Sequence, residues 1–345
     1  MGGGGEEMNW KKSLQLAAVY VGSVVGAGFA TGREIIEFFS RFGSIGLLTI
    51  ILSGVFFIWF GVKIMMLSLR IGAQSYHQLN EYLFGRIFTP LVNLIMLLML
   101  IGVTSVMLSG AGSVFEEQLH LARGLGIVGT ICLAIFILVI GTKGLFLVNT
   151  VVVPLLIIFC LVLFGHVLFL PDFWQNAFTP VAWDGHAFLS SLSYASFNLA
   201  LTQAVLVPAA TEINDERTIK MGGILGGLIL TGLLLMNHLV VVQLPDFQLY
   251  DIPLAVMMEK MASAFHLLFI LVIYGEIFSS IIGNIYGLER FIQKIVPMKT
   301  IYIGMIIFAI AYVISMVNYS LLLATLYPLF GNIAIIYFIL LMIKK

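Results

Sequence analysis

Long apolar runs separated by short polar segments dominate the chain. The runs fall near residues 13–40, 43–66, 87–113, 124–141, 145–170, 187–211, 221–243, 264–286, 300–317 and 320–343. A helix needs about 20 mainly apolar residues to cross the hydrocarbon core of a bilayer, and the runs are close to that length. The pattern therefore predicts ten membrane-spanning helices, numbered here as spans 1 to 10.

Composition agrees with this reading of the pattern. Of 345 residues, 61% are hydrophobic and only 10% are charged, against about 25% charged residues in soluble domains. The 17 basic and 17 acidic residues cancel, so no bulk charge indicates a nucleic-acid partner. We expect an all-α polytopic membrane protein whose main partner is the lipid bilayer, and the search for function moves into the membrane.

The basic residues are distributed unevenly between the two sides. With the N-terminus in the cytoplasm, 13 of the 17 Lys and Arg residues fall on the inner side, leaving 4 outside: Arg33, Arg41, Arg123 and Lys260. Cytoplasmic loops carry such an excess of basic residues. The bias predicts an integral protein of a bacterial plasma membrane with both termini in the cytoplasm.

Several classes of chemistry find no support in the sequence. Cys132 and Cys160 lie in apolar runs without CxxC spacing, which argues against a disulfide framework or a zinc site. No nucleotide-binding loop is present, and the one mid-span glutamate in span 8 lacks a catalytic partner. We expect neither an enzyme nor an ATP-driven pump, and no cofactor.

The ten spans divide into two groups of five around a polar segment. Residues 171–186 contain two Trp, two Pro and no basic residue, as expected of an outer loop. This gives a flexible tail at 1–10, a first five-helix repeat at 11–170, the outer loop at 171–186 and a second repeat at 187–345. Because each repeat has an odd number of spans, the two repeats would have inverted topology.

Span 1 is unusually rich in glycine. Gly22, Gly26, Gly28 and Gly32 lie within eleven residues, and each costs about 1 kcal/mol relative to alanine inside a helix. One interpretation is close helix packing through small residues. The other is a helix unwound near Val25 to Gly28, whose free N–H groups suit a carboxylate and whose free carbonyls suit a small cation.

The stretch GSVVGAGFATGREI, residues 22–35, resembles the first helix of the YkvI-like amino-acid permeases. These are grouped in the amino acid–polyamine–organocation superfamily, with the leucine-transporter fold. The resemblance implies two inverted five-helix repeats with helices 1 and 6 unwound around a substrate. It implies backbone carbonyls from Gly22 and Val25 at a sodium ion, and a substrate site that includes Ser23, Ala27, Gly28 and Phe29.

The matching break is expected in span 6. This run carries Ser196, Phe197 and Asn198 at mid-span, and the resemblance implies that they line the substrate site, with Thr104 of span 3 nearby. Polar residues here could instead bond to neighbouring helices. The glycine pair common at this break in relatives is absent, which leaves the unwound residues of span 6 open.

Span 8 carries Glu276 about eleven residues from either end. A carboxyl at this depth is costly and marks a functional site by default; the alternatives are an ion pair with Arg33 or a permanently protonated acid. The resemblance implies that Ser279 and Ser280 complete a sodium site with the Glu276 carbonyl. Proton coupling through the Glu276 carboxyl stays open, with sodium placed ahead.

These features predict a secondary transporter that moves a small amino acid, or a related amine or carboxylate, together with a cation by alternating access. The alternative is a ligand-sensing receptor of the spore-germinant type, which shares the fold and would bind its ligand without concentrating it. Substrate identity and transport direction stay open, as does assembly into a homo-oligomer.

Overall fold

The computed structural model describes residues 9–140, 143–180, 184–293 and 298–344. Within these residues the chain is helical, with short 3₁₀ and π segments and no strand. The α-helices, in chain order, are α1 Trp10–Val24, α2 Ala27–Thr31, α3 Arg33–Phe38, α4 Ile45–Ile71, α5 Tyr76–Ser113, α6 Arg123–Ile140, α7 Lys143–Val167, α8 Phe173–Ala177, α9 His186–Ile213, α10 Glu216–Val241, α11 Pro253–Ala262, α12 His266–Ile292, α13 Thr300–Ser315 and α14 Tyr319–Ile343.

Each predicted span lies on helical structure. Span 1 is divided among α1, α2 and α3; spans 2 to 5 are α4 to α7, and spans 6 to 10 are α9, α10, α12, α13 and α14. Among the described residues, five helical stretches are long and apolar enough to cross a membrane, and three shorter helices are also apolar. Neither span 1 nor α9 is among them, because span 1 is broken into short helices and α9 carries many polar residues along its length. The all-α polytopic fold is confirmed, whereas the tail at 1–10 lies almost entirely outside the described residues.

Polar residues between the apolar runs determine where several helices begin. The Asn9 side chain accepts a hydrogen bond from the Lys12 N–H, and Asn318 accepts from the backbone at the start of α14. Asp215 does the same for Arg217 and Thr218 at the start of α10. Bonds from Thr218 also hold the pKa of the Asp215 carboxyl below its usual value. Such N-caps satisfy backbone N–H groups that have no partner within the helix.

The packing contacts between the two predicted repeats are reciprocal. Span 1 packs on span 7 through α1 and α10, and span 6 packs on span 2 through α9 and α4. Likewise α7 packs on α12, and α14 packs on α5. Two repeats of inverted topology would produce this reciprocal packing. The boundaries proposed for the repeats, 11–170 and 187–345, stay a prediction.

The two helices expected to be unwound differ. Span 1 breaks as predicted: α1 ends at Val24, and the backbone of Val25 and Gly26 is extended before α2 begins. The expected break in span 6 is wrong for this structure, because α9 runs without interruption from His186 to Ile213. No glycine occurs between residues 187 and 211, and the Asn198 amide donates to the Tyr194 carbonyl at 3.0 Å within the helix.

Glycines allow α1, α4 and α10 to pack unusually closely. A Cβ atom added at Gly61 would lie 2.4 Å from the Tyr20 hydroxyl oxygen, and one at Gly227 would lie 2.9 Å from the backbone nitrogen of Ile58. The Tyr20 hydroxyl donates to the Phe57 carbonyl at 2.8 Å across the same contact. Small residues at helix interfaces in membranes permit this approach.

We predict that Gly227→Ala lowers the apparent melting temperature of the protein in detergent, whereas Gly232→Ala does not. Both glycines lie on α10, but a Cβ at Gly232 meets nothing within 4 Å. Overpacking costs about 1–3 kcal/mol, while alanine in an open helical position gains up to about 1 kcal/mol over glycine. Equal melting temperatures for the two variants would contradict the proposed close contact between α4 and α10.

Candidate functional site

A cavity of about 320 Å³ lies at the break in span 1. Its wall is built from both sides of the break and from α3, α5, α9, α12 and α14. It therefore draws on helices from both predicted repeats. The break brings backbone groups to its surface, which is tolerated at membrane depth only beside a cavity or ligand.

Most residues predicted to form the site lie in this wall. They are Gly22, Ser23, Val25, Ala27, Gly28, Phe197, Asn198, Glu276, Ser279 and Ser280. Ser280 lies against the break, since a Cβ built at Gly26 would lie 3.7 Å from the Ser280 Oγ. The sequence-based grouping of spans 1, 6 and 8 around one space agrees with this arrangement.

Three predicted residues do not line the cavity. Phe29 is fully buried outside the wall, because it follows Gly28 on α2 and each residue turns the helix face by about 100°. Thr104 donates to the Leu100 carbonyl at 2.7 Å, and Val103 and Met107 occupy the wall instead. Ser196 is also buried away from the cavity, while its neighbours Phe197 and Asn198 reach it.

The wall also contains polar residues that the sequence-based site did not include. Glu34 of α3, Asn284 of α12 and Tyr327 of α14 line the cavity. Glu34 lies over Gly28, where a Cβ atom would come within 2.0 Å of the Glu34 Oε1. Two signals could have found these residues: Glu34 is an acid inside a span, and Asn284 follows Ser280 by one helical turn.

The cavity carries two acidic side chains and no basic one. Glu276 is 2% exposed and Glu34 is 5% exposed, and no Lys, Arg or His is part of the described wall. The Glu276 Oε1 has no hydrogen-bond partner within the described structure. The alternative of an ion pair between Arg33 and Glu276 is not formed, because the Arg33 Nη1 donates to the carbonyls of Gln248 and Tyr250 at 2.7 and 3.1 Å.

Oxygen atoms collect around Glu276 and the break. The Ser279 hydroxyl donates to the Glu276 carbonyl at 3.1 Å, and the Thr202 hydroxyl donates to the Ser23 carbonyl at 3.3 Å. Carbonyls in the last turn of α1 lack a regular helical partner because the helix ends there. Carboxyl, hydroxyl and carbonyl oxygens are the kinds of atom that hard cations bind.

Contacts across the bundle close the cavity on the side away from the termini. The Phe197 and Tyr327 rings pack with centroids 4.4 Å apart, and the hydroxyls of Thr31 and Tyr319 lie 2.9 Å apart. Helix α11 also packs on α2. In the opposite direction the wall continues to Tyr76 at the start of α5. The cavity thus extends toward the end of the bundle that carries both termini.

Sequence similarity to a known protein establishes the family. The chain is 46% identical over 342 residues to the uncharacterized membrane protein YkvI of Bacillus subtilis, covering 98% of both chains. The chain belongs to the YkvI family of membrane proteins. A second Bacillus subtilis relative of this YkvI-family chain, the uncharacterized protein YyaD, is 23% identical over 94% of both chains. No family model matches the chain.

Solved structures identify the fold of the YkvI-family chain. Crystal structures of a manganese transporter from Eremococcus coleocola align with it at TM-scores of 0.59 and 0.62. The alignment with the second covers 99% of this chain and 80% of the transporter, at 14% sequence identity. At this identity the similarity establishes a shared fold alone and carries no information about the substrate.

We predict that a cysteine introduced at position 284 of this YkvI-family chain reacts with a water-soluble maleimide supplied from the side of the termini. Asn284→Cys would place the thiol in the cavity wall, whereas Thr31→Cys would bury it beyond the closure. Cys132→Ser is the background, because Cys132 is exposed and Cys160 is buried. Labelling of Asn284→Cys only from the opposite side would contradict the direction in which the cavity extends.

Proposed function

We propose that this protein is a secondary transporter that moves a small amino acid or amine together with a cation. The observation that carries the proposal is the pair of buried acids, Glu34 and Glu276, on a cavity at the break in span 1 with no basic residue in its described wall. A buried carboxylate without a counter-charge is costly in a membrane. A bound cation, an ammonium group or a proton relieves that cost.

The size and charge of the cavity support a small substrate that carries an ammonium group. Its volume of about 320 Å³ lies at the lower end of the usual range of ligand pockets, about 300–1,000 Å³. The Asn198 amide and backbone N–H groups after the break offer donors for a carboxylate. Helix α2 has only five residues, so its macrodipole contributes little to binding a carboxylate. The two acids favour the amine end of the substrate.

Sodium is the preferred coupling ion in this proposal. Ser279, Ser280 and Glu276 line the same cavity as Gly22 and Val25. Backbone carbonyls at similar unwound helices coordinate sodium in transporters. A proton carried by the Glu276 carboxyl is the alternative. In the described parts of the chain, no three His, Cys, Asp or Glu side chains group as a metal site.

Alternating access supplies the transport step. If the termini are cytoplasmic, as the distribution of basic residues predicts, the cavity in this structure faces inward. Arg33, Thr31 and the Phe197–Tyr327 contact would then form the outer closure. Opening this closure while closing the cytoplasmic side would expose the same acids to the outside.

The first test is a thermal-stability screen of the purified protein against amino acids and amines, with and without sodium. A ligand at 100 times its Kd stabilises the folded state by about 2.7 kcal/mol. We expect an amine-containing ligand to raise the melting temperature, with a larger shift in sodium. Replacing both serines, Ser279→Ala with Ser280→Ala, should remove the sodium-dependent part of the shift.

Ser315→Ala is the matched control, because Ser315 is buried in α13 and donates only to the Tyr312 carbonyl in its own helix. It should keep the full sodium effect. A sodium effect that survives the double serine replacement would contradict the assigned ion site. Uptake of the stabilising ligand into proteoliposomes then separates a transporter from a receptor, which would bind the ligand without accumulating it.

A further inference from the structure

A second, separate groove lies at the end of the bundle that carries the termini. It has a volume of about 710 Å³ and is bordered by α4, by α10 and by the residue that follows α14. Four basic residues line it: Lys63, Arg70, Lys220 and Lys344. No acidic residue lies in its described wall.

The charges in this groove are only partly neutralised by the protein. Lys220 pairs with Glu216 at 3.2 Å, and both side chains are about half exposed. The Lys63 Nζ donates to the Met342 carbonyl at 3.0 Å, and the Lys344 ammonium lies 5.2 Å from the centre of the Tyr82 ring. Within the described residues, Lys63, Arg70 and Lys344 form no salt bridge. The groove therefore concentrates positive charge that calls for an external anion.

The remaining wall of the groove is apolar and partly exposed. Trp59 is 47% exposed and Ile224 is 38% exposed, and Ile58, Val62, Met66 and Leu67 complete the wall. On α4, Trp59 lies four residues before Lys63 and Arg70 lies seven residues after it, about 6 and 10 Å along the helix axis. Charge thus lies at the bundle end and gives way to an aromatic and aliphatic surface deeper in the membrane.

We propose that this groove binds an anionic phospholipid. Arg70, Lys220 and Lys344 surround the phosphate head group, Lys63 reaches it from a deeper position, and an acyl chain lies along Trp59 and Ile224. Basic pockets between spanning helices bind anionic head groups in this way. Charge complementarity selects an anionic lipid over a zwitterionic one, and the apolar wall selects a lipid over a free phosphate ion.

The test is native mass spectrometry of the delipidated full-length protein with phosphatidylglycerol or phosphatidylcholine of the same acyl chains. We expect retained phosphatidylglycerol and little retained phosphatidylcholine. Arg70→Gln combined with Lys220→Gln should lower the phosphatidylglycerol-bound fraction at least fivefold. Lys11→Gln combined with Lys12→Gln is the matched control, because it removes the same charge from the same end outside the groove and should leave binding unchanged.

Melting curves without lipid verify that both double variants fold, and Lys344→Gln alone serves as a milder variant with a smaller expected loss. Equal loss of phosphatidylglycerol in the groove variant and in the control would overturn the proposal in favour of general surface charge. Equal retention of the two lipids would overturn it as well. Displacement of the lipid by millimolar inorganic phosphate would also overturn it, because the groove would then bind the phosphate group without recognising the acyl chain.

Discussion

A transmembrane helix can break only where its freed backbone groups find other partners, and this constraint organises the structure. The break after Val24 exposes carbonyls and N–H groups to a cavity instead of to lipid. Thr202 satisfies one of the exposed carbonyls, at Ser23. Gly28 leaves the space that the Glu34 carboxyl occupies above the second half of the broken helix. The cavity and the backbone groups exposed in it depend on this one interruption.

The two halves of span 1 are held in place by different kinds of contact. Close glycine contacts fix α1 against α4 and α10, so the first half of span 1 is held firmly. The second half contacts α11 and is tied by Arg33 to the carbonyls of Gln248 and Tyr250. Movement on the side away from the termini would therefore require the Arg33 bonds and the Thr31–Tyr319 contact to separate. The unwound residues Val25 and Gly26 lie between these two parts.

Much of the fold could be predicted from the sequence because its signals are local. Apolar runs gave the spans, and the density of glycine gave the break in span 1. Glu276, Ser279 and Ser280 were found because one helix face at mid-membrane carries all three. The break expected in α9 had no such local signal: it came from a family resemblance, and the absence of glycine kept that helix continuous.

Features that arise between helices could not be read from one segment. Phe29 was placed near the substrate, yet the short α2 turns its ring away from the cavity. Glu34 lines the cavity because α3 follows a left-handed Gly32 with φ of 85°, a geometry that spacing alone does not give. The basic groove is formed by residues from α4, α10 and the end of the chain. These residues are far apart in the sequence, so no local pattern predicts that they meet.

A coupling role for Glu276 is tested most directly by uptake of the stabilising ligand into proteoliposomes under an imposed sodium or proton gradient. Wild-type protein should accumulate the ligand above its outside concentration and lose that accumulation when the gradient is dissipated. Glu276→Gln keeps the shape but removes the buried negative charge that favours a cation or an ammonium group in the cavity, so it should allow at most equilibration. Accumulation by Glu276→Gln equal to that of the wild type would contradict the role assigned to this carboxyl.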